Sequence, residues 1–400
     1  MKVILITGTK GKTTLSLTLN NALLSIGKKV LCISSEGIFK NGKIIKDNEY
    51  FLKKFKTSAN VCALNEVRSD EARRFDYVIL ESSFSSGKNI RESFAKNNID
   101  LAILTNVYWD HIDGERIKDQ KDLLERKLKL IGNLKKGGTA FIYAGDKKNS
   151  VSYKAISKLR KNRNDLSVVA YNKRLFHSSS DQIGKCYMKN DCIYLNDTLL
   201  LKISSASFPA GIRSEISESN LIAITGILKS LKIGPEILKK KSVLSVPGRF
   251  NLFDKNGYTV VLDYAHEIKS ISEAAKTLRL KFKGRHLKAV IRLSYYRKEG
   301  IIRDLTRKIA PLFDSYIIYD KAISRPSLRK IFTRDKKAGS VAKMMLEELK
   351  KEGAVARIIN DELTAIRKSI RKLKKDEILY IIGDQIKKDI SVIKEELQKK

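Results

Sequence analysis

At 400 residues, 42% hydrophobic and 31% charged, the chain reads as a folded globular protein with room for two cores, which excludes a disordered or fibrous class. Its 80 basic against 44 acidic residues give a formal charge of +36, a field that draws nucleic acid, anionic surfaces or acidic substrates; no helix-turn-helix, RNA-recognition or zinc-finger pattern accompanies it, so a nucleic-acid partner is not expected. Four scattered cysteines argue against a disulfide framework or a zinc site, and the lack of a leader pattern or an apolar run of roughly 20 residues predicts a cytoplasmic protein with no membrane partner.

In chain order, KVILITG (2–8) predicts a buried strand, TTLSLTLNNALLSIG (13–27) a helix, and KVLCISSEG (29–37), DYVILESS (76–83), LAILTNV (101–107) and GTAFIYAG (138–145) further strands. Apolar strands alternating with amphipathic stretches predict an α/β fold with a mostly parallel sheet covered by helices on both faces. Between about 175 and 207, CYMKNDCIYLNDTLLLKI changes to short runs broken by two Asn-Asp steps, which predicts a small antiparallel β insert. A helix over 217–231 follows. Lysines 239–241 and the turn at Val246-Pro247-Gly248 mark the boundary between domains over 1–244 and 245–400. Beyond it YTVVLDYA, LKAVIRL, DSYIIYD, ARIIND and EILYIIGD predict a second doubly wound domain.

Thr7-Gly8-Thr9-Lys10-Gly11-Lys12-Thr13-Thr14 joins the first strand to the first helix. A helix N-terminus in that position offers backbone N–H groups and its dipole to a phosphate chain. Gly8 and Gly11 let the backbone bend around the anion, Lys12 reaches the β- and γ-phosphates, and the Thr13 hydroxyl suits Mg²⁺. Glu81 ends the strand DYVIL, where ligands bind in open α/β sheets, and a carboxylate there suits Mg²⁺; taken alone it reads equally as exposed decoration. The segment 105–113, TNVYWDHID, gathers the one Trp, one of four His and two Asp at another strand end. His111 can ligate a metal or position a carboxylate, with Asp110 orienting its second nitrogen. Past the boundary, Pro247-Gly248-Arg249 reads either as a turn or as a phosphate fork. Asp263-Tyr264-Ala265-His266 reads either as a strand end or as a ribose acceptor with a histidine beside it.

The order of these pieces resembles the Mur ligase superfamily, in which GTKGKTT matches the ATP loop, Glu81 the magnesium carboxylate, TNVYWDHID the TN-x-x-x-DH-x-D motif, and PGRF and DYAH the carboxy-terminal signatures. SSEGIFKNGK, ESSFSSGKNIRE and EILYIIGDQIKKDI resemble the ligase module of cyanophycin synthetase most, over essentially the whole chain. That resemblance implies a P-loop-type central domain followed by a Rossmann-like C-terminal domain. It implies ATP and two magnesium ions as cofactors, with Thr13, Glu81 and His111 at the metal. Gly8, Thr9, Lys10, Gly11, Lys12, Thr13, Thr14, Asn106, Asn220, Arg249, Asp263 and His266 match nucleotide-binding positions. Lys127, which adjoins Arg126, matches a lysine that several members carbamylate, so that Lys12, Glu81, His111 and Lys127 form the implied catalytic set.

The implied reaction is ATP-dependent joining of a carboxylate to an amine through an acyl phosphate, with an amino acid and an acidic amino acid or peptide as substrates. The missing ATP-grasp module implies an ATP-grasp or amidotransferase partner. Three departures bear on this reading: HEI (266–268) where relatives have HNP, Ile216-Ser217 where they have HN, and Tyr295-Tyr296-Arg297 where they have a glycine-Asp-Arg loop. They favour, as an alternative, a partner-dependent or non-catalytic nucleotide-binding subunit. The charge alone motivates a third reading, a nucleic-acid-binding ATPase.

Overall fold

Strand β1 (Lys2–Thr7) is buried at every position after its first residue, as a strand covered on both faces must be. In the computed structural model it is the pivot of an eleven-stranded sheet. The structure describes residues 1–56, 58–83, 87–108, 117–145, 151–173, 183–204, 215–240, 243, 245–265, 268–295, 297–326 and 336–400. Two compact units form: the first holds β1 to β11 and the helix Glu215–Ser230, the second β12 to β17.

The strands of the first unit are β1, β2 (Val30–Ser34), β3 (Gly37–Lys40), β4 (Lys43–Asp47), β5 (Tyr77–Ser82), β6 (Ile99–Leu104), β7 (Leu134–Tyr143), β8 (Ser167–Asn172), β9 (Gly184–Lys189), β10 (Cys192–Leu195) and β11 (Thr198–Lys202). Their order is β11-β10-β9-β8-β7-β6-β1-β5-β2-β3-β4. Strand β1 pairs in parallel with β5 on one side and β6 on the other, so the chain leaves it in both directions and opens a crevice at the strands' carboxyl ends. Val3, Leu5, Leu31, Ile33, Val78, Leu80, Ala102 and Leu104 share one buried cluster on a single face.

The antiparallel strands expected near 175–207 do not form a sheet of their own: β9 pairs with β8 in parallel, and β10 and β11 then pair antiparallel in turn, so they extend the edge of the main sheet. A second hairpin, β3 and β4, which the reading of the sequence did not single out, extends the opposite edge. Its turn, Asn41-Gly42, has φ of 47° and 80°, and Asn190-Asp191 and Asn196-Asp197 likewise have φ between 47° and 64°. Two consecutive residues with positive φ make the tight turn that matches strand twist, which Asn, Asp and Gly tolerate best.

In the second unit the strands are β12 (Asn251–Lys255), β13 (Tyr258–Asp263), β14 (His286–Ile291), β15 (Ser315–Ile318), β16 (Val355–Ile358) and β17 (Glu377–Ile382). They run β12-β13-β17-β14-β15-β16, parallel except for β12, which pairs antiparallel with β13. Buried clusters cover both faces of this sheet. Among the described residues no helix is long and apolar enough to cross a membrane. All four cysteines are free thiols, three of them buried.

Candidate nucleotide site

Beyond Thr7 the chain turns through Gly8 (φ 139°) and Gly11 (φ 83°) into the helix Lys12–Leu24. Contact as well as conformation demands both glycines. A Cβ on Gly8 would lie 2.0 Å from the Thr105 Oγ1, and one on Gly11 would lie 2.6 Å from the Asn220 Oδ1.

Asn106, just past β6, holds this loop. Its backbone carbonyl accepts from the Thr9 N–H (2.9 Å), its Oδ1 from the Lys10 N–H (2.8 Å), and its Nδ2 donates to the Lys10 carbonyl (3.1 Å). Both edges of its amide are thus spent on one loop residue, so the loop is shaped before any ligand arrives. The Lys12 ammonium folds over the loop and donates to the Thr9 carbonyl at 3.0 Å. Lys10 and Thr13 are buried, and Thr14 is half-buried in the first turn of the helix.

Glu81, the penultimate residue of β5, is 3% exposed, which removes the reading of surface decoration. Thr13 Oγ1 donates to its Oε1 at 3.0 Å, and the Ser35 N–H donates to its Oε2 at 2.9 Å. The Thr13 and Ser35 hydroxyls are 2.8 Å apart. Ser35 did not emerge from the sequence, although a signal was there. It follows directly on β2, whose register places Ile33 beside Leu80, so the hydroxyls that end β2 come alongside Glu81.

Lys127 comes from the helix Gln120–Ile131 and is 2% exposed, with its Nζ donating to the Gly8 carbonyl at 2.8 Å. The first unit therefore gathers Gly8, Thr9, Lys10, Gly11, Lys12, Thr13, Glu81, Asn106, Lys127 and Asn220. Asp110, His111 and His266 lie outside the described residues.

The donor set beside the helix terminus is a buried carboxylate with two hydroxyls, the hard oxygen chemistry that a divalent cation such as Mg²⁺ takes. Two buried polar atoms flanking the glycines, Asn220 Nδ2 and Thr105 Oγ1, are without a partner among the described residues. A glycine-lined cradle with those groups and a helix N-terminus at its head fits a polyphosphate.

Arg249 and Asp263 belong to the second unit and meet there. Asp263 Oδ1 accepts from the Tyr264 N–H (2.8 Å) and the Phe250 N–H (3.3 Å), and its Oδ2 accepts from the Tyr380 hydroxyl (3.0 Å). Burial pushes this carboxyl up from its ordinary range, against those hydrogen bonds and the Arg249 charge. The Arg249 guanidinium stacks 4.6 Å from the centre of the Tyr264 ring. Asp263 thus braces the turn that presents Arg249.

A group the sequence did not disclose sits at the carboxyl ends of β14, β15 and β17. Arg292, Lys321 and Arg325 converge on Asp384 at 2.7, 2.8 and 3.2 Å. Burial opposes ionisation of Asp384, but Lys321 and Arg292, then Arg325, outweigh it and hold its carboxyl well below the usual range. Next to it Glu362 accepts from the Tyr319 hydroxyl (3.1 Å), the Asp384 and Gln385 N–H groups and Gln385 Nε2 (3.1 Å). Asp389 is fully buried, and burial followed by the Glu362 and Asp384 charges pushes it up to about 9.

Residues 6–193 match the family model described as the Mur ligase middle domain, and residues 248–385 the one described as the Mur ligase glutamate ligase domain. A UDP-N-acetylmuramoyl-L-alanyl-D-glutamate–2,6-diaminopimelate ligase of Bacillus cereus is 24% identical over 388 residues, covering 94% of this chain and 72% of its own length. Cyanophycin synthetase of Geminocystis herdmanii is 23% identical over 412 residues, but this chain spans only 43% of it. A solved folylpolyglutamate synthase/dihydrofolate synthase, with Mn, AMPPNP and L-glutamate bound, superposes with a TM-score of 0.66 at 15% identity, covering 98% of this chain and 89% of its own. At that identity the likeness speaks for the fold.

Proposed function

Since this chain belongs to the Mur ligase family, we propose that it is an ATP-dependent ligase that joins an amino-acid amine to the carboxylate of an acidic amino acid or peptide in the cytoplasm. A carboxylate oxygen attacks the γ-phosphorus of ATP, the bond from that phosphorus to the β-γ bridging oxygen breaks, and ADP leaves an acyl phosphate behind. The amine then attacks the acyl carbon, loses a proton, and expels inorganic phosphate as the amide forms. Magnesium, when bound, neutralises charge on the transferring phosphoryl group.

The chain's own groups take the remaining roles. Thr13 and Glu81 would hold the metal, with His111 as a further ligand. Lys12 and the loop amides face the phosphates and stabilise the charge that builds in the transition state. Arg249 is the phosphate fork of the second unit, and the +36 charge favours an acidic acceptor. An ATP-grasp or amidotransferase protein is the partner class that the cyanophycin-like pattern suggests.

The observation that carries this reading is the buried contact of Thr13 with Glu81 and Ser35 at the head of the phosphate loop. The test is release of ADP and phosphate from ATP while amino acids and acidic peptides are screened in pairs, with the product identified by mass. Turnover that needs both a carboxylate and an amine supports the ligase. Tight ATP binding without turnover for any pair turns the reading toward a partner-dependent nucleotide-binding subunit. That alternative has one structural ally: the Tyr295 hydroxyl, which replaces the glycine of the family's loop, is bonded to Asp320 inside the protein.

A further inference from the structure

Strands β9, β10 and β11 form one margin of the first unit's sheet. Side chains of a strand alternate between its two faces, and here the faces differ in chemistry. Inward, Cys186, Met188, Ile193 and Leu201 are buried, and the helix Glu215–Ser230 packs so closely that a Cβ on Gly226 would lie 3.0 Å from the Cys186 Sγ. Outward, the register sets Tyr187 beside Tyr194 and Tyr194 beside Leu199, a single row across three strands. The two rings stack with centres 5.4 Å apart and planes 18° apart, and Leu199 is 55% exposed.

Lysines surround this row. Lys185 and Lys189 share the outward face of β9 with Tyr187, and in a second row Cys192 stands between Lys189 and Lys202. Among the described residues none of these three lysines makes an ion pair. Asp197 accepts from the Tyr187 hydroxyl at 2.6 Å, so one carboxylate meets three ammonium groups and the face keeps a positive balance. A patch on the helix Asn48–Phe55 shows the contrast. There Lys46 and Lys54 lie over the Tyr50 ring, but both are paired with Glu66. That patch neutralises itself, and the outer face of β9 to β11 does not.

From β1 through β6, β7 and β8 to β9 every pairing is parallel, so Lys189 and Lys202, at the ends of β9 and β11, lie toward the same carboxyl edge as the glycine loop. With strands about 4.8 Å apart, β9 to β11 are about 20 to 30 Å from β1. An extended chain advances about 3.3 Å per residue, so it covers that distance in about six to nine residues.

We propose that the outer face of β9 to β11 is a docking site for the acidic peptide acceptor of the ligation, an extended chain that sets carboxylates against Lys185, Lys189 and Lys202 and an apolar side chain on Leu199 and the tyrosine pair. This rests on the ligase reading above and adds to it a second foothold, remote from the bond being made. Charge complementarity selects the occupant, because unpaired lysines around an apolar row suit an anionic partner with apolar side chains. A nucleic-acid strand suits it less: leucine gives a base no ring to stack on, and the two tyrosines are already stacked on each other.

A fluorescein-labelled peptide of about twelve residues, long enough to span the distance and made of glutamate with leucine at every third position, is titrated by anisotropy against the full chain without ATP. Binding should weaken as salt rises. The double variant Lys189→Glu/Lys202→Glu should bind about tenfold more weakly, and Leu199→Ser about threefold. All three positions are exposed, so the variants keep the fold. In steady-state ligation the double variant should raise KM about tenfold for the long peptide with kcat unchanged, and leave KM unchanged for an acceptor of about three residues, which is too short to reach the face. Equal binding by wild type and both variants, a KM change that ignores acceptor length, tighter binding of a single-stranded DNA of similar length, or wild-type self-association that disappears in Leu199→Ser would each overturn the proposal. Turnover absent with every acceptor strikes the ligase reading and with it the identity of the bound chain, whereas turnover with undiminished peptide binding in the variants strikes the docking site alone.

Discussion

The carboxyl edges of the two sheets solve different problems with different chemistry. At the end of β1 the loop is shaped by neutral groups, the Asn106 amide, the backbone of Gly8 and Gly11 and two hydroxyls, around one carboxylate, Glu81, and three lysines. At the ends of β14, β15 and β17 the same position in the fold is packed with ions: Arg292, Lys321 and Arg325 on Asp384, with Glu362 and Asp389 behind. A cradle of oriented dipoles can meet a charged ligand with little rearrangement. An ion cluster pays for its own burial through its internal pairs, so removing one member leaves an uncompensated charge. The first region is built to be completed from outside, whereas the second is largely complete within itself.

If that contrast is sound, the two regions must break differently. Lys12→Ala and Glu81→Ala should lower ADP release by about a thousandfold or more, comparable to losing groups that stabilise transferring charge. Their thermal midpoints should stay within a few degrees of wild type. Unfolding of either variant under assay conditions would count against a site that is shaped mainly by backbone and amide. Arg292→Met should do the opposite. With Asp384 left buried and one cation short, the second unit should lose about 3 to 5 kcal/mol, read by denaturant unfolding, while nucleotide affinity of the folded fraction is unchanged.

Asp389→Asn is the smallest change of side chain and the sharpest in sign. Because the folded protein holds the Asp389 proton up to about 9 while an unfolded aspartate releases it near 3.9, folding takes up a proton throughout that window. Stability then falls as pH rises, by about 1.4 kcal/mol per unit from this group. Asparagine has no proton to lose. The variant should therefore match wild type at pH 4, exceed it by about 5 kcal/mol near pH 8, and flatten the slope between. A parallel slope in variant and wild type, measured by urea midpoints across pH 4 to 9, would show that Asp389 does not carry that proton.

The sequence disclosed the first region far better than the second, and the reason is distance along the chain. The glycine-rich loop of the candidate site is eight consecutive residues between a strand and a helix, so glycine spacing and flanking apolar runs declare it. The alternation of strands and helices was legible for the same reason. Ser35 meets Glu81 across 46 residues, Lys127 meets Gly8 across 119, and Arg292 meets Asp384 across 92. Such pairs depend on strand order and register, which no local pattern encodes. Lys127 entered the reading only through resemblance, since in a lysine-rich helix, LLERKLKLI, nothing local separates it from Lys129. The hairpin β3 to β4 is a different case: Asn41-Gly42 is a strong turn signal, overshadowed by the parallel alternation around it.

The two hairpins that flank the great sheet set a limit on its growth. Parallel strands are slow to find their partners, and an unfinished edge among them would be an invitation to a neighbouring copy. Here both margins are made by short strands that fold back on themselves through tight local turns, one bearing Lys43 and Lys46 and the other Lys202. The sheet can thus be sealed from its rims while its interior is still assembling, and two molecules emerging side by side from synthesis would meet as repelling borders instead of as open seams.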